Sequence, residues 1–358
     1  MEVAVETGTH VPLSVLDLSP VASGATPRDG LLNTLDLARR AEEFGYRRYW
    51  LAEHHANAGI SGSAPHVLAG LVAAATTRIR VGTAATIVAN YEPIQIAEAA
   101  GLLASAFDGR FDLGLGRSGS LKRVADENGG FDAVRFAVQN RLLGRVEGDG
   151  DAFPGAVDDI LSFVRGDYIS EEGIPILATP AQDSTGLQVW LHGSTAGPSA
   201  RLAGVNGLPF GASYHFAPAF VLDAVAEYRA SFVPSLALAK SHVIVSVDAV
   251  VGETDEVAQE LAAGYAEWVL SIRSGRGAIP FPSPEEARTR VWTDEERVTV
   301  KDRVETLFVG SPDTVVGRLE TLQRATGADE LLITTITHDH RDRVESYRLL
   351  AEAWGLET

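Results

Sequence analysis

The sequence predicts an α/β fold in which eight parallel strands close into a barrel, and three of its features predict this. Strand-like and helix-like segments alternate along most of the chain, and parallel strands need such crossover connections. Strands begin near residues 12, 46, 79, 110, 188, 209, 242 and 330, the number that a closed (β/α)8 TIM barrel requires. The run from Tyr46 to Ala52 is apolar-rich and ends abruptly in Glu53, His54 and His55, which would be costly to bury without partners. That strand end therefore opens into a polar cavity, at the edge where the βα loops of a barrel converge. A chain of 358 residues with 45% hydrophobic content can supply the core. We read residues 1–358 as one domain with insertions at the carboxyl-terminal face, the main one at about 273–308.

Taken in order, Pro12 to Leu18 is a short apolar strand. Thr26, Pro27 and Asp29 then give an N-cap, a first-turn proline and a first-turn acid. The helix that follows buries Leu37, Ala41 and Phe44 and ends at Gly45. After the strand ending at His54, a small-residue loop from Ala56 to Ser63 leads to a helix over Pro65 to Thr76, with Leu68, Leu71, Val72 and Ala75 as its buried face. Ile79 to Val88 is the third strand, Ile94 to Phe107 a helix opened by Pro93, and Arg110 to Leu115 the fourth strand. The centre is less regular, with helices over Asp132 to Val146 and Pro154 to Val164 and a loop or short strand over Asp167 to Gly186. Regularity returns with strands at Val189 to His192 and Pro209 to Ser213, helices from Ser199 and from Ala219 to Phe232, and a long strand from His242 to Val251. A helix from Thr254 to Ile272 precedes a Gly/Pro-rich stretch, Ser274 to Pro284, and a charged helical one, Glu285 to Thr306, which we expect to cover the barrel mouth. Leu331 to Thr335 and Arg341 to Trp354 complete the last strand and helix.

A formal charge of -18 argues against a nucleic-acid partner, whose phosphates it would repel. With no cysteine there is no disulfide framework and no thiolate nucleophile. The amino terminus lacks a signal-peptide pattern and no apolar stretch is long enough to span a bilayer, so a cytoplasmic enzyme is expected.

Gly114-Leu-Gly116-Arg-Ser-Gly119 matches G-x-G-x-x-G after a strand, but no helix and acid-tipped strand follow as dinucleotide binding requires. A strand end giving a flat ligand close backbone access fits better. Gly193-Ser194-Thr195, between a strand and a helix, is either a plain N-cap or an anion cradle. Its place at the face that holds His54, with Arg117 as a cation, favours the cradle. Gly82 to Thr86 puts small residues in mid-strand, which either makes room for a planar ring with a cis bond or marks a narrow spot in the barrel. Tyr214-His215 and His338-Asp339-His340 bring further imidazoles to strand ends, yet none has a recognised metal spacing, so no metal is expected.

These residues together resemble the bacterial luciferase-like flavin monooxygenases. The resemblance is carried by Leu51-Ala-Glu53-His54-His55, Val81-Gly-Thr-Ala-Ala85, Gly109-Arg110-Phe111-Asp112-Leu-Gly-Leu-Gly116-Arg117, Leu191-His-Gly193-Ser194-Thr195, Gly207-Leu-Pro-Phe and Val309-Gly-Ser-Pro312, and it covers nearly the whole chain. It implies reduced FMN with its ring against the third strand, a non-proline cis bond at Ala84-Ala85, and the phosphate near Arg117, Ser194 and Thr195. His54 matches the family's catalytic histidine. The expected cofactor-binding set is Ala84, Ala85, Asn90, Arg117, Gly193, Ser194 and Thr195, and the expected substrate-pocket set is His55, Tyr214 and His215. The implied reaction uses reduced FMN and dioxygen to hydroxylate or epoxidise an apolar or aromatic organic substrate. A separate flavin reductase and a homodimer are implied partners. The alternatives are hydride transfer from a reduced deazaflavin, or a flavin-binding barrel without chemistry. Two departures from the family stand out: Gly116 replaces a reactive cysteine of luciferase itself, and Ser118 to Arg123 replaces a Pro-Gly loop.

Overall fold

The computed structural model describes residues 10–117, 132–145 and 149–357. Gly119 of the glycine motif and the Ser118 to Arg123 departure lie outside the described residues. The strands are β1 Leu13–Asp17, β2 Arg48–Leu51, β3 Arg80–Thr83, β4 Thr86–Ile87, β5 Phe111–Gly116, β6 Gln188–Gly193, β7 Phe210–Ser213, β8 Val243–Val251, β9 Phe308–Gly310 and β10 Glu330–Thr334. The helices are α1 Pro27–Glu43, α2 Pro65–Ala75, α3 Pro93–Ala106, α4 Ala133–Leu142, α5 Asp149–Arg165, α6 Pro198–Val205, α7 Val221–Ser231, α8 Asp255–Leu261, α9 Tyr265–Arg273, α10 Pro284–Thr289, α11 Asp294–Thr306, α12 Pro312–Thr326 and α13 His340–Trp354. All pairings between strands are parallel, and the path β1-β2-β3-β5-β6-β7-β8-β10 returns to β1, giving a closed barrel of eight strands. Short β4 adds to β5, and β9 extends the upper half of β8. The eight predicted strand starts are thus the eight barrel strands.

Local signals explain the element ends. Thr26 and Asp29 form a reciprocal capping box at α1, with Pro27 in the first turn. Gly45 ends that helix at φ +85, where a β-carbon would also lie 2.3 Å from the carbonyl of Glu357. The predicted helix from Thr254 to Ile272 is instead two helices, α8 and α9. They part at Gly264, where a β-carbon would come within 2.6 Å of the carbonyl of Pro282, so the chain crossing above needs that gap. The third strand is likewise divided, with the cis bond Ala84-Ala85 between β3 and β4. Leu71, expected in the buried face of α2, is 52% exposed, and the turn is buried through Leu68, Ala69, Val72 and Ala73 instead.

Strand alternation sorts the side chains into two bodies. Leu13, Val15, Tyr49, Val81, Leu113 and Val245 point outward into the shell under the helices. Leu16, Trp50, Trp190, Ile244 and Leu332 point inward and fill the barrel's middle. Below them lies a floor of polar groups from the first residues of the strands. Arg48 donates to both carboxylate oxygens of Glu330 at 3.1 Å, to Asp112 at 2.7 Å and to Gln188 at 3.0 Å. Asp112 also accepts from Arg80 and from the Trp50 indole, and Ser14 donates to Glu330. Gly82 is shaped by this packing, since a β-carbon there would lie 2.3 Å from the carbonyl of Asp112 and 2.9 Å from the Trp50 ring. Its small size serves the barrel interior, so at this position the narrow-spot reading holds over room for a ligand.

Because Arg48 is 2% exposed and Glu330 and Asp112 are fully enclosed, removing the guanidinium strands buried carboxylate charge. Arg48→Met should cost about 3–5 kcal/mol of unfolding free energy in urea titration. Arg40→Ala, at a half-exposed pair with Glu43, should cost under about 1 kcal/mol. Equal losses would refute the floor's role.

Candidate active site

Above the aromatic middle the barrel opens into a cavity of about 420 Å³, within the range of small-molecule sites. His54, Ala84, Ala85, Arg117, Gly193, Ser194, Thr195 and His215 all border it, so eight of the expected site residues meet in one place. They come from the carboxyl ends of β2, β3, β5, β6 and β7. Ala84, Ala85 and Gly116 make one wall of small residues. Its members abut, since a β-carbon on Gly116 would stand 2.9 Å from that of Ala85. Gly193, Ser194 and Thr195 lead into α6, whose first residue is Pro198, and exposed Arg117 stands on the neighbouring β5 loop.

Three expected residues lie elsewhere. His55 turns back, its Nε2 2.7 Å from Glu53, and Asn90 donates to the same Glu53 oxygen at 2.6 Å while accepting from Arg145. Tyr214 packs edge-on against Phe308, because strand alternation that turns Ser213 and His215 inward turns Tyr214 outward. His338 and His340 do not reach the cavity either: they bond the carbonyl of Ser23 and the carboxylate of Asp36 at 3.0 Å. Among the described residues no group of three acids or imidazoles could hold a metal ion.

Glu53 itself is 6% exposed and borders the cavity. Besides His55 and Asn90 it accepts from the backbone of Ile87 at 2.8 Å, so one buried carboxylate ties the end of β2 to β4, just past the small-residue wall. His54 is fixed through its backbone N-H to the carbonyl of Gly62, while its Nδ1 has no protein partner.

The sequence did not disclose His192, Trp268 or Arg303, which also border the cavity. His192 follows Trp190 by two on β6, so strand parity could have found it. Its ring occupies a slot that glycines leave open: a β-carbon on Gly211 would lie 2.2 Å from its Nδ1, and one on Gly114 2.7 Å from its Nε2. Trp268 and Arg303 come from α9 and α11, so the cover of the mouth starts before residue 273. The chain from Gly277 to Phe281 packs on the loop that follows His54, with Ala278 bonded to both Asn57 and Gly59.

A family model described as luciferase-like monooxygenase matches residues 11–330. A Bacillus subtilis protein, YvbT, is 36% identical over 344 residues, covering 96% of each chain. An Escherichia coli luciferase-like monooxygenase is 32% identical, covering 96% of this chain and 97% of its own. The crystal structure of apo-MsnO8 superposes with a TM-score of 0.82 at 32% identity, covering 97% of this chain and 99% of that one. Two structures below 20% identity share the fold. One is the oxygenating constituent of 3,6-diketocamphane monooxygenase from Pseudomonas putida in complex with FMN, at TM-score 0.68, covering 96% and 97%. The other is an F420-dependent secondary alcohol dehydrogenase, at TM-score 0.65, covering 97% and 99%.

The cavity's imidazoles share one electrostatic state. Burial pushes His54, His192 and His215 down to about 4 from an ordinary 6.5, and the same cause acts on His66, which bonds Thr86 beside the wall. The nearby Glu53 charge opposes this at His54 without reversing it. All four are therefore neutral at pH 7. The folded pKa values lie below the unfolded ones, so between about 4 and 6.5 the unfolded chain binds more protons, and stability falls as the pH falls through that window. The thermal midpoint should drop steadily from pH 6.5 to 5, and less steeply in His54→Gln, which removes one titrating ring. A midpoint flat over that range would contradict the assignment.

Proposed function

Because the chain belongs to the luciferase-like monooxygenase family, we propose that it is a flavin-dependent monooxygenase using reduced FMN and dioxygen to hydroxylate or epoxidise an apolar or aromatic organic substrate. The observation that carries this reading is the convergence of the Ala84-Ala85-Gly116 wall, the Arg117-Ser194-Thr195 cluster and His54 on one cavity. The residues fit the cofactor. A wall without side chains beyond β-carbons accepts a flat ring, and a guanidinium, two hydroxyls and the start of α6 suit a phosphate despite the acidic surface.

When bound, reduced FMN supplies the two electrons by which one oxygen atom enters the substrate and the other leaves as water. The chain's own tasks are binding, shielding and proton handling. Ala84 and Ala85 would seat the ring, while Arg117, Ser194 and Thr195 would hold the phosphate. Leu16, Leu18, Trp268, Ile272 and Leu332 give the cavity apolar surface that disfavours water. His54, neutral and with Nδ1 free of protein partners, can take a proton at one ring nitrogen and release one from the other without carrying a lasting charge. Asn90 and His55 act through Glu53, so they are positioning residues. A separate reductase would deliver the reduced flavin to this cytoplasmic protein. A homodimer fits the apolar residues left exposed on α2 and α3, Val67, Leu71 and Leu102.

Hydride transfer from a reduced deazaflavin is the second reading, favoured by the F420-dependent enzyme of the same fold. Thermal protection separates the two. FMN near one hundred times its Kd should stabilise the protein by about 2.7 kcal/mol, and more than FAD or the deazaflavin. Protection by the deazaflavin alone would overturn the FMN reading. Replacing Arg117 by Gln together with Ser194 by Ala should weaken FMN binding by about tenfold or more, given charge-assisted hydrogen bonds of about 1.5–3 kcal/mol. Riboflavin, which lacks the phosphate, should bind both proteins alike; equal losses for the two flavins would remove the cradle from the site. His54→Ala should raise the hydrogen peroxide released per oxygen consumed, and unchanged coupling would remove His54 from proton handling.

A further inference from the structure

Behind the small-residue wall runs a chain of hydrogen bonds to which the flavin reading assigns no task. Gly82 pairs with Asp112 and Thr86 with Leu115, so residues 83–85 stand opposite residues 113 and 114, three against two. The wall therefore sits on a one-residue bulge, where the ladder of backbone bonds is interrupted. Thr83 closes the gap with its side chain: its hydroxyl accepts from the Gly114 N-H at 3.1 Å and donates to the Gly114 carbonyl at 3.0 Å. Thr86 Oγ1 lies 3.1 Å from Thr83 Oγ1, and His66 Nε2, in the first turn of α2, lies 3.0 Å from Thr86 Oγ1. Both threonines are fully buried, and the Tyr91 ring packs edge-on to the His66 imidazole with centroids 5.8 Å apart.

The protons of this chain can be placed one by one. A carbonyl only accepts, so the single hydroxyl proton of Thr83 goes to Gly114. Thr86 must then donate to Thr83, and His66 must donate to Thr86. Burial keeps the His66 ring neutral at pH 7, so its one N-H sits on Nε2. The direction of the chain is thus fixed from end to end, and it starts at the imidazole. Without that donor the buried Thr86 hydroxyl loses a partner and is free to turn, which loosens Thr83 in the bulge. Such supporting bonds are what hold a binding surface to within about 0.5 Å of its working geometry. We propose that His66 is a positioning residue for the flavin: through Thr86 and Thr83 it sets Ala84 and Ala85 in place against Gly116, and with them the fit of the ring to the wall. The inference rests on the monooxygenase reading for the ring that lies there.

His66→Leu, which removes the donor, and His66→Gln, whose side-chain amide restores one, test it on the full chain at pH 7.5. Two quantities are read: hydrogen exchange at the Gly114 amide without flavin, and the Kd of riboflavin from the quenching of its fluorescence. Riboflavin lacks the phosphate and so reports the fit of the ring apart from the cradle. In His66→Leu both the exchange rate and the Kd should rise about three- to tenfold, the worth of one hydrogen bond, while His66→Gln should keep both within about twofold of the wild type. Thermal midpoints confirm folding, and a merely structural role would lower the midpoint while leaving the Kd of the folded protein unchanged. Thr86→Val, which deletes the hydroxyl and keeps the shape, should match His66→Leu and carries the test if His66→Leu does not fold. Riboflavin bound alike by the wild type and the folded donor-free variants, exchange at Gly114 that does not move, or a His66→Gln protein no better than His66→Leu would each overturn the inference. A wild-type chain that binds no riboflavin would instead remove the cofactor reading, and this inference with it.

Discussion

A cavity can persist at one end of this barrel because the other end is filled and locked by charge. Ser14, Arg48, Arg80, Asp112, Gln188 and Glu330 come from β1, β2, β3, β5, β6 and β10, six of the eight closing strands. Each sits at or near the first residue of its strand, so the network fixes their register at one level. Buried ion pairs contribute little net stability when compared with apolar packing, but a mispaired strand here would leave a charge without its counterpart. Register follows, and with it the height at which every strand ends.

From that level upward, strand parity does the rest. Trp50 and Trp190 lie one inward step above the floor, with the Arg48 guanidinium 4.9 Å from the Trp190 ring, and His192 lies one step above them. The glycines at 114 and 211 make space for His192, and those at 82 and 116 fit Asp112 and Ala85. The floor, the aromatic layer and the cavity are thus successive layers of one packing, and a change in any one is felt in the next.

The chemistry of the cavity follows from the same enclosure. Removing water keeps its imidazoles neutral. Glu53 shows the complementary case: its buried carboxyl oxygens are met by converging backbone and side-chain donors. It thereby ties the residues after the cis bond to those around His54.

The sequence by itself determined the barrel, because its periodicities, caps and strand ends are local properties, and eight strand starts survive errors of a residue or two in their bounds. It also determined most of the candidate site, since His54, Ala84, Ala85, Arg117 and Ser194 sit at strand ends that any such barrel brings together. What tertiary structure alone decided is which way side chains near those ends turn. His55 and Asn90 are drawn to Glu53, Tyr214 faces outward by parity, and Gly82 serves the interior packing. Arg303 lay in a helix that reads as a solvated charged face, and only the docking of α11 over the mouth gave it Asp248 as a partner. Contacts of that kind join residues 55 apart in the chain, and no local pattern records them.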